Sequence, residues 1–260
     1  MSRLKRFLYN ATLLTITSLI IRGVSLGFNA WLSMKIGAEA LGLFTLISGV
    51  YNFSLTFATS GIALAATRMV AEALGRDDKG LVRMSMRRCL TYALFFGTLS
   101  AIFLLSFSKV IGNLWLKDSR TILPLRLMAI TLPLIALSSA MNGYFTAVRR
   151  VTKNALTQIT EQTVKISLST WLLLFVLNNG IEQACIALVL GGAASELLSF
   201  IVILTMYLLD KRKHMKKSES GTKSTVGVTK KLLGIALPVA FSTYIRSGLL
   251  SLEQIGRAHV

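Results

Sequence analysis

Apolar residues fall into long, nearly uninterrupted runs, and short polar segments separate these runs along the chain. A helix needs about 20 mostly apolar residues to cross the hydrocarbon core of a bilayer, so each run predicts one transmembrane helix. Six such runs are complete, at about 9–34, 41–67, 89–111, 122–147, 155–178 and 183–209. A seventh begins near residue 232. The pattern predicts an all-α polytopic membrane helical bundle, with an N-terminal six-helix lobe and a truncated seventh helix.

The basic residues orient these helices. Most of them lie in the N-terminal segment and in every second connecting segment: Arg3, Lys5, Arg6; Arg68, Arg76, Lys79, Arg83, Arg87, Arg88; Arg149, Arg150, Lys153; and the Lys and Arg residues of 210–231. The opposite loops contain Lys35, Lys109, Lys117 and Arg120. Short loops rich in Lys and Arg stay in the cytoplasm, so we expect a multi-pass protein with a cytoplasmic N-terminus.

Composition excludes several classes of protein. Hydrophobic residues make up 53% of the chain and charged residues only 15%, with a mean hydropathy of +0.63. A net charge of +18 is compatible with a nucleic-acid binder, but the apolar excess contradicts that reading. We therefore expect the lipid bilayer as a partner, and no nucleic acid.

A polar segment and a short repeat divide the chain. Residues 210–231 are basic and rich in Ser, Thr and Gly, as in a cytoplasmic linker. The stretch 18–23 (SLIIRG) resembles 242–247 (STYIRS), and both follow a basic segment. Transporters use such repeats. We predict a six-helix lobe over 1–209, the linker over 210–231, and the start of a second lobe over 232–254. The remainder of that C-terminal lobe, missing from this chain, would be a partner within a protein about twice as long.

The last six residues, 255–260 (IGRAHV), place an arginine and a histidine at membrane depth. Their sequence matches the translation of a common sequencing adapter. We expect this tail to be non-native, and the chain to be a fragment.

Charges within the apolar runs are the candidate functional residues, because a charge inside a span costs at least about 2.5–3.5 kcal/mol. Arg22 and Arg246 lie about 16 Å and 21 Å beyond the starts of their helices, as anion-binding cations of a cavity would. Glu196 is a partner for Arg22, a proton or cation coupling site, or a packing residue. Glu161 and Lys165 are spaced to form an i,i+4 pair.

The sequence has neither a P-loop nor metal-ligand spacing, and it has no pair of histidines or carboxylates typical of a catalytic site. We expect no enzyme, no catalytic residue, no metal and no cofactor.

Four stretches resemble a known family. The most specific is 142–150 (NGYFTAVRR) with Ala155 and 158–162 (QITEQ); the others are 60–72, 37–42 and 237–246. These residues resemble the polysaccharide (lipid II-type) flippase branch of the multidrug/oligosaccharidyl-lipid/polysaccharide exporter superfamily, and its sporulation proteins in particular. The resemblance covers about 1–254.

The resemblance implies two six-helix bundles around a central cavity. It implies a flippase that moves undecaprenyl-pyrophosphate-linked peptidoglycan or polysaccharide precursors across the bacterial cytoplasmic membrane by alternating access. Related flippases carry essential cavity arginines, a pattern that Arg22 and Arg246 match. The alternatives are a multidrug or cation antiporter of the same superfamily, which would use Glu196, and a non-transporting membrane scaffold for envelope or spore assembly.

Overall fold

The computed structural model describes residues 3–176, 180–214 and 225–258; for 3–11, 13, 14, 151, 212–214, 225, 226, 248 and 250–258 it describes the backbone alone. Within this part of the chain all regular structure is helical, which confirms the all-α bundle. The elements are α1 (Arg3–Thr59), α2 (Ile62–Gly75), α3 (Lys79–Val110), a π-helical turn (Ile111–Trp115), a 3-10 turn (Ser119–Thr121), α4 (Ile122–Ala129), α5 (Leu132–Ala147), α6 (Val151–Val176), α7 (Ile181–His214) and α8 (Thr225–Ala258).

Local breaks convert these elements into the predicted spans. Gly37, with φ 80°, interrupts α1 and separates residues 3–36 from 38–59. Gly61, with φ 72°, separates α1 from α2. Left-handed φ values favour glycine because a Cβ would clash with the backbone. Residues 3–36 therefore correspond to the first predicted span, and 38–59 together with α2 to the second.

The fourth predicted span is bent. The pair Ser119–Ala129 and Leu132–Ala147 meets at an angle of 43°. Pro133, in the first turn of α5, lacks the amide hydrogen that a continuous helix would use there. By length and composition, four of the described helices can cross a membrane, or five if this bent pair counts as one span. The first of the four covers Thr15–Gly75 and contains both glycine breaks.

Helices α2, α3 and α5 pack around the main core, and α6 packs along α7. The core is built mostly from small and aliphatic side chains, and Phe145 is the largest of its fully buried side chains. Large apolar side chains cover the outer surface, including Leu19, Phe95, Ile102 and Phe175. A hydrocarbon environment suits such a surface, and the chain is a multi-pass membrane protein.

The segment between α7 and α8 is shorter than the predicted linker, 210–231. Helix α7 extends to His214 and α8 begins at Thr225. The middle of the linker, 215–224, and the end of the tail, 259–260, lie outside the described residues. The division into two lobes stays a prediction.

Candidate functional site

A polar cavity of about 370 Å³ lies inside the bundle. Parts of α1 on both sides of Gly37 form its walls together with α6 and α7, and the bend between α4 and α5 supplies a further edge. Its lining contains Ser25, Phe28, Asn29, Leu32, Phe44, Ser48, Tyr51, Asn52, Leu55, Met128, Thr131, Glu161, Gln162, Lys165, Ser169, Leu188, Val189, Gly192, Ala193 and Glu196. Three of the five predicted site residues therefore share one cavity: Glu161, Lys165 and Glu196.

Glu196 on α7 is held by two hydroxyl groups from other spans. The Tyr51 hydroxyl lies 3.2 Å from each carboxylate oxygen of Glu196 and 2.8 Å from Thr131 Oγ1. Tyr51 is only 5% exposed, and Thr131 occupies the position where the fourth span bends. The arrangement joins the second, fourth and sixth spans through one carboxylate, so a change in its charge would act on three helices at once.

Glu161 on α6 accepts a 3.1 Å hydrogen bond from Ser199 on α7. Lys165 lies one turn further along α6 and lines the same cavity. The predicted i,i+4 pair is not formed, since no ion pair joins Glu161 and Lys165 in the described part of the chain. Glu161 instead accepts the hydrogen bond from the Ser199 hydroxyl, and this bond connects α6 to α7.

The two carboxylates also border a second cavity of about 370 Å³. This second cavity is lined by Glu161, Glu196, Ser199, Leu55, Thr59, Ala63, Ile135, Ser138, Ser139 and Asn142. Because Leu55, Glu161 and Glu196 belong to both linings, the carboxylates stand where the two cavities meet. A proton or small cation passing between the cavities would meet both carboxylates.

Another part of the first cavity's lining is polar but uncharged. Asn29, Ser48 and Asn52 line it from α1, and their side chains have no hydrogen-bond partner among the described residues. Gln162 on α6 donates a hydrogen bond to Ser25 Oγ at 3.0 Å, which connects the first part of α1 to α6. Unpaired amides and hydroxyls offer hydrogen bonds to a neutral polar ligand.

Arg22 and Arg246 lie elsewhere. Neither is among the residues that line the two cavities. Arg22 is exposed beside an open groove of about 300 Å³, with Thr15, Ser18 and Leu19. Arg246 is exposed on α8. No described carboxylate forms an ion pair with either arginine, and Glu196, which the sequence offered as a partner for Arg22, bonds to Tyr51 instead.

Sequence reasoning missed the neutral and hydroxyl members of the site. Asn29, Tyr51, Asn52 and Gln162 were visible as polar residues inside predicted spans. Thr131 and Ser199 carried no such signal, because Ser and Thr are common in membrane helices.

The fold defines the class of protein. The chain is similar in structure to a MOP superfamily transporter from Pyrococcus furiosus, which is described as having a binding pocket of reverse polarity. The TM-score is 0.72 and the sequence identity is 16%, and the match covers 90% of this chain and 52% of that one. It is similarly close to a MATE transporter in complex with MaD3S, with a TM-score of 0.71, 18% identity, and coverage of 90% and 53%. The fold of the chain therefore corresponds to about half of the fold of each of these two proteins.

The sequence identifies the family. Residues 7–255 match the family described as polysaccharide biosynthesis protein, and the chain belongs to it. It is 29% identical over 246 residues to stage V sporulation protein B of Bacillus subtilis (strain 168), covering 92% of this chain and 46% of that protein. The resemblance to the polysaccharide flippase branch is confirmed. The chain spans about half the length of the relatives that it matches.

Proposed function

We propose that this chain is the first half of a flippase that moves undecaprenyl-pyrophosphate-linked peptidoglycan or polysaccharide precursors across the bacterial cytoplasmic membrane by alternating access. Its N-terminus would be cytoplasmic, and a second lobe of the same protein would complete the central cavity. Membership of the polysaccharide biosynthesis family supports the class of cargo, and likeness to a sporulation protein supports a role in envelope or spore assembly.

One observation carries the proposal for the headgroup. Arg22 is exposed within an apolar helix and has no carboxylate partner among the described residues. An uncompensated guanidinium at membrane depth favours an anionic ligand, and Arg binds phosphate oxygens through two parallel hydrogen bonds. Arg22, and Arg246 by the internal repeat, would bind the pyrophosphate. The neutral wall of Asn29, Ser48 and Asn52 suits the hydroxyl groups of a sugar.

The test uses the full-length protein encoded by the native gene, reconstituted together with a lipid-linked sugar pyrophosphate. Losing hydrogen bonds to a charged ligand costs about 1.5–3 kcal/mol, so Arg22→Ala should slow flipping about 10- to 100-fold. Arg22→Lys keeps the charge but loses the paired geometry and should recover only part of the rate. Arg87→Ala, which removes an exposed cation from a basic connecting segment, is the matched control.

The membrane level of each variant must equal that of the parent protein. If Arg22→Ala flips lipid at the rate of the parent protein, Arg22 does not bind the pyrophosphate during flipping. If neither protein flips lipid, the non-transporting scaffold is favoured.

A second function has its own observation. The Tyr51–Glu196–Thr131 cluster provides a carboxylate that can be charged or neutral inside a cavity, as a multidrug or cation antiporter requires. Drug efflux that is lost in Glu196→Gln, in a protein that does not flip lipid-linked sugars, would favour this alternative.

A further inference from the structure

Helix α8 packs against α1, α2 and α3. Its buried face is a row at four-residue spacing: Val228, Leu232, Ala236 and Ala240, each at most 8% exposed. Four-residue spacing places side chains on one side of a helix. We call this contact, from Glu72 and Val228 at one end to Thr56 and Ser247 at the other, the α8 seam.

The closest approach in the seam is at Gly61. A Cβ built on Gly61 would lie 2.5 Å from the carbonyl oxygen of Ala236 and 2.8 Å from its Cα. Glycine is thus required twice at this position, for its left-handed φ and for contact with the α8 backbone. The backbone at Gly61 therefore packs directly against the α8 backbone at Ala236.

Side chains close the seam on either side of Gly61. Tyr244 stacks on Phe57 with ring centroids 5.3 Å apart, and Ser247 Oγ donates to Thr56 Oγ1 at 3.0 Å. At the other end the Lys231 ammonium pairs with the Glu72 carboxylate, which also accepts a hydrogen bond from Arg76.

The seam lies on the other side of the chain segment that lines the second cavity. Leu55, Thr59 and Ala63 line the second cavity, whereas Phe57 and Gly61, from the same stretch of chain, contact α8. This part of the second span therefore has one face on the cavity and another on α8. Moving α8 away would uncover the outer side of the cavity wall.

The carboxylate of the ion pair that crosses the seam is more exposed than the carboxylate of Asp210, which pairs with Arg150 and Lys153. The side chains of Lys231 and Glu72 are 44% and 30% exposed, whereas Asp210, which pairs with Arg150 and Lys153 inside the bundle, is 3% exposed. An exposed ion pair adds little to stability and is easily broken, whereas a buried one is costly to break. The ion pair across the seam can therefore separate at little cost.

We infer that the α8 seam is a gate on the Lys231 side of the bundle, closed in this structure, and that the Glu72–Lys231 ion pair biases it toward the closed state. The inference rests on the proposed two-lobe flippase, because α8 would move with the second lobe. It goes beyond that proposal by assigning the contacts that separate when the transporter opens on this side.

The first experiment measures access to the seam and needs no substrate. Ser85, 1% exposed, lines a pocket of about 200 Å³ at the seam together with Glu72 and Lys231. Ser85→Cys is placed in the full-length protein with Cys89→Ala and Cys185→Ala, and labelled in inside-out vesicles with a membrane-impermeant maleimide. Glu72→Gln should speed labelling about two- to fivefold, the range expected for an exposed ion pair. Gly61→Ala should speed it at least as much, because the new Cβ separates the two backbones.

Arg76→Gln is the matched control, because Arg76, directly after the end of α2, pairs with Glu72 on the same helix and forms no ion pair with α8 among the described residues. Equal labelling rates in the parent, Glu72→Gln and Gly61→Ala would overturn the gate, because the seam would then be a permanent contact.

The second experiment holds the seam closed. A bismaleimide cross-linker with a reducible spacer, joined to Glu72→Cys and Lys231→Cys, should stop flipping of a lipid-linked sugar pyrophosphate, and a reductant that cleaves the spacer should restore it. The same cross-linker joined to Glu39→Cys and Arg120→Cys connects a pair within the predicted first lobe and should leave flipping unchanged. Flipping that continues with the seam cross-link in place overturns the gate. A parent protein that flips nothing counts against the proposed function alone, and the labelling experiment then decides the gate.

Discussion

The Tyr144 hydroxyl donates a 2.8 Å hydrogen bond to the Asp210 carboxylate, and this contact joins α5 to the end of α7. Asp210 also pairs with Arg150 and lies 3.5 Å from the Lys153 ammonium. The carboxylate is only 3% exposed, so three donors from two other segments compensate its burial. The turn between α5 and α6 is thereby fixed to α7.

Removing Asp210 should destabilise the bundle. Asp210→Ala removes the acceptor that Tyr144, Arg150 and Lys153 share; because the two cations are 35% and 28% exposed and can be solvated, the cost should be about 1–3 kcal/mol. Tyr144→Phe removes one hydrogen bond to a charged group and should cost about 1.5–3 kcal/mol. Thermal unfolding in detergent, followed by size-exclusion fluorescence, measures both changes.

Tyr92→Phe is the control for Tyr144→Phe, because the Tyr92 hydroxyl has no hydrogen-bond partner in the described part of the chain. If the two tyrosine variants unfold at the same temperature, the Asp210 network does not stabilise the fold.

Close helix packing at Gly97 yields a second prediction. A Cβ there would lie 2.8 Å from Pro133 Cα and 3.0 Å from Ala136 Cβ, so Gly97→Ala would push α3 away from α5. Overpacking of this kind costs about 1–3 kcal/mol. Gly42→Ala is the matched substitution, since its Cβ would meet nothing within 4 Å and should be neutral or slightly stabilising. A lower unfolding temperature for Gly42→Ala than for Gly97→Ala would contradict this packing.

The sequence predicted the helices and the charged residues of the site, but not the contacts between them. Long apolar runs predicted the helices because the bilayer sets their length, and the charges at 161, 165 and 196 were recognisable because charge is costly in a span. The sequence could not show that Glu196 would bond to Tyr51 rather than to Arg22. That choice depends on helix rotation and on the bend at Thr131, which arise from packing between spans distant in sequence.

A cluster at the opposite end from Lys231 is expected to depend on pH. Arg120 pairs with Asp118 at 2.8 Å and with Glu39 at 3.3 Å, joining two connecting segments. The hydrogen bond and charge of Arg120 hold the pKa of the Asp118 carboxyl below its usual value. A lowered pKa in the folded state stabilises the fold above the unfolded pKa of about 3.9, and this stabilisation is lost as the pH falls through the folded value.

Asp118→Asn should therefore lower stability at pH 7 by about 0.2–1 kcal/mol, the range for a partly exposed pair. The difference from the parent should shrink as the pH falls below about 4. Unfolding temperatures of both proteins between pH 7 and pH 3 provide the measurement. A difference that stays constant across this range would show that the charge of Asp118 has no role.

The Tyr51–Glu196 contact leads to the prediction that bears most directly on energy coupling. Glu196→Gln keeps the size and hydrogen-bonding capacity of the side chain but cannot exchange a proton, so flipping should no longer respond to an imposed pH gradient. Tyr51→Phe removes the hydroxyl that lies 3.2 Å from both carboxylate oxygens and should weaken the response without abolishing it. Glu182→Gln, an exposed acid in the first turn of α7, is the control that should behave like the parent. Flipping rates in proteoliposomes with and without the gradient distinguish these cases, and a Glu196→Gln protein that still follows the gradient would show that the proton is coupled elsewhere.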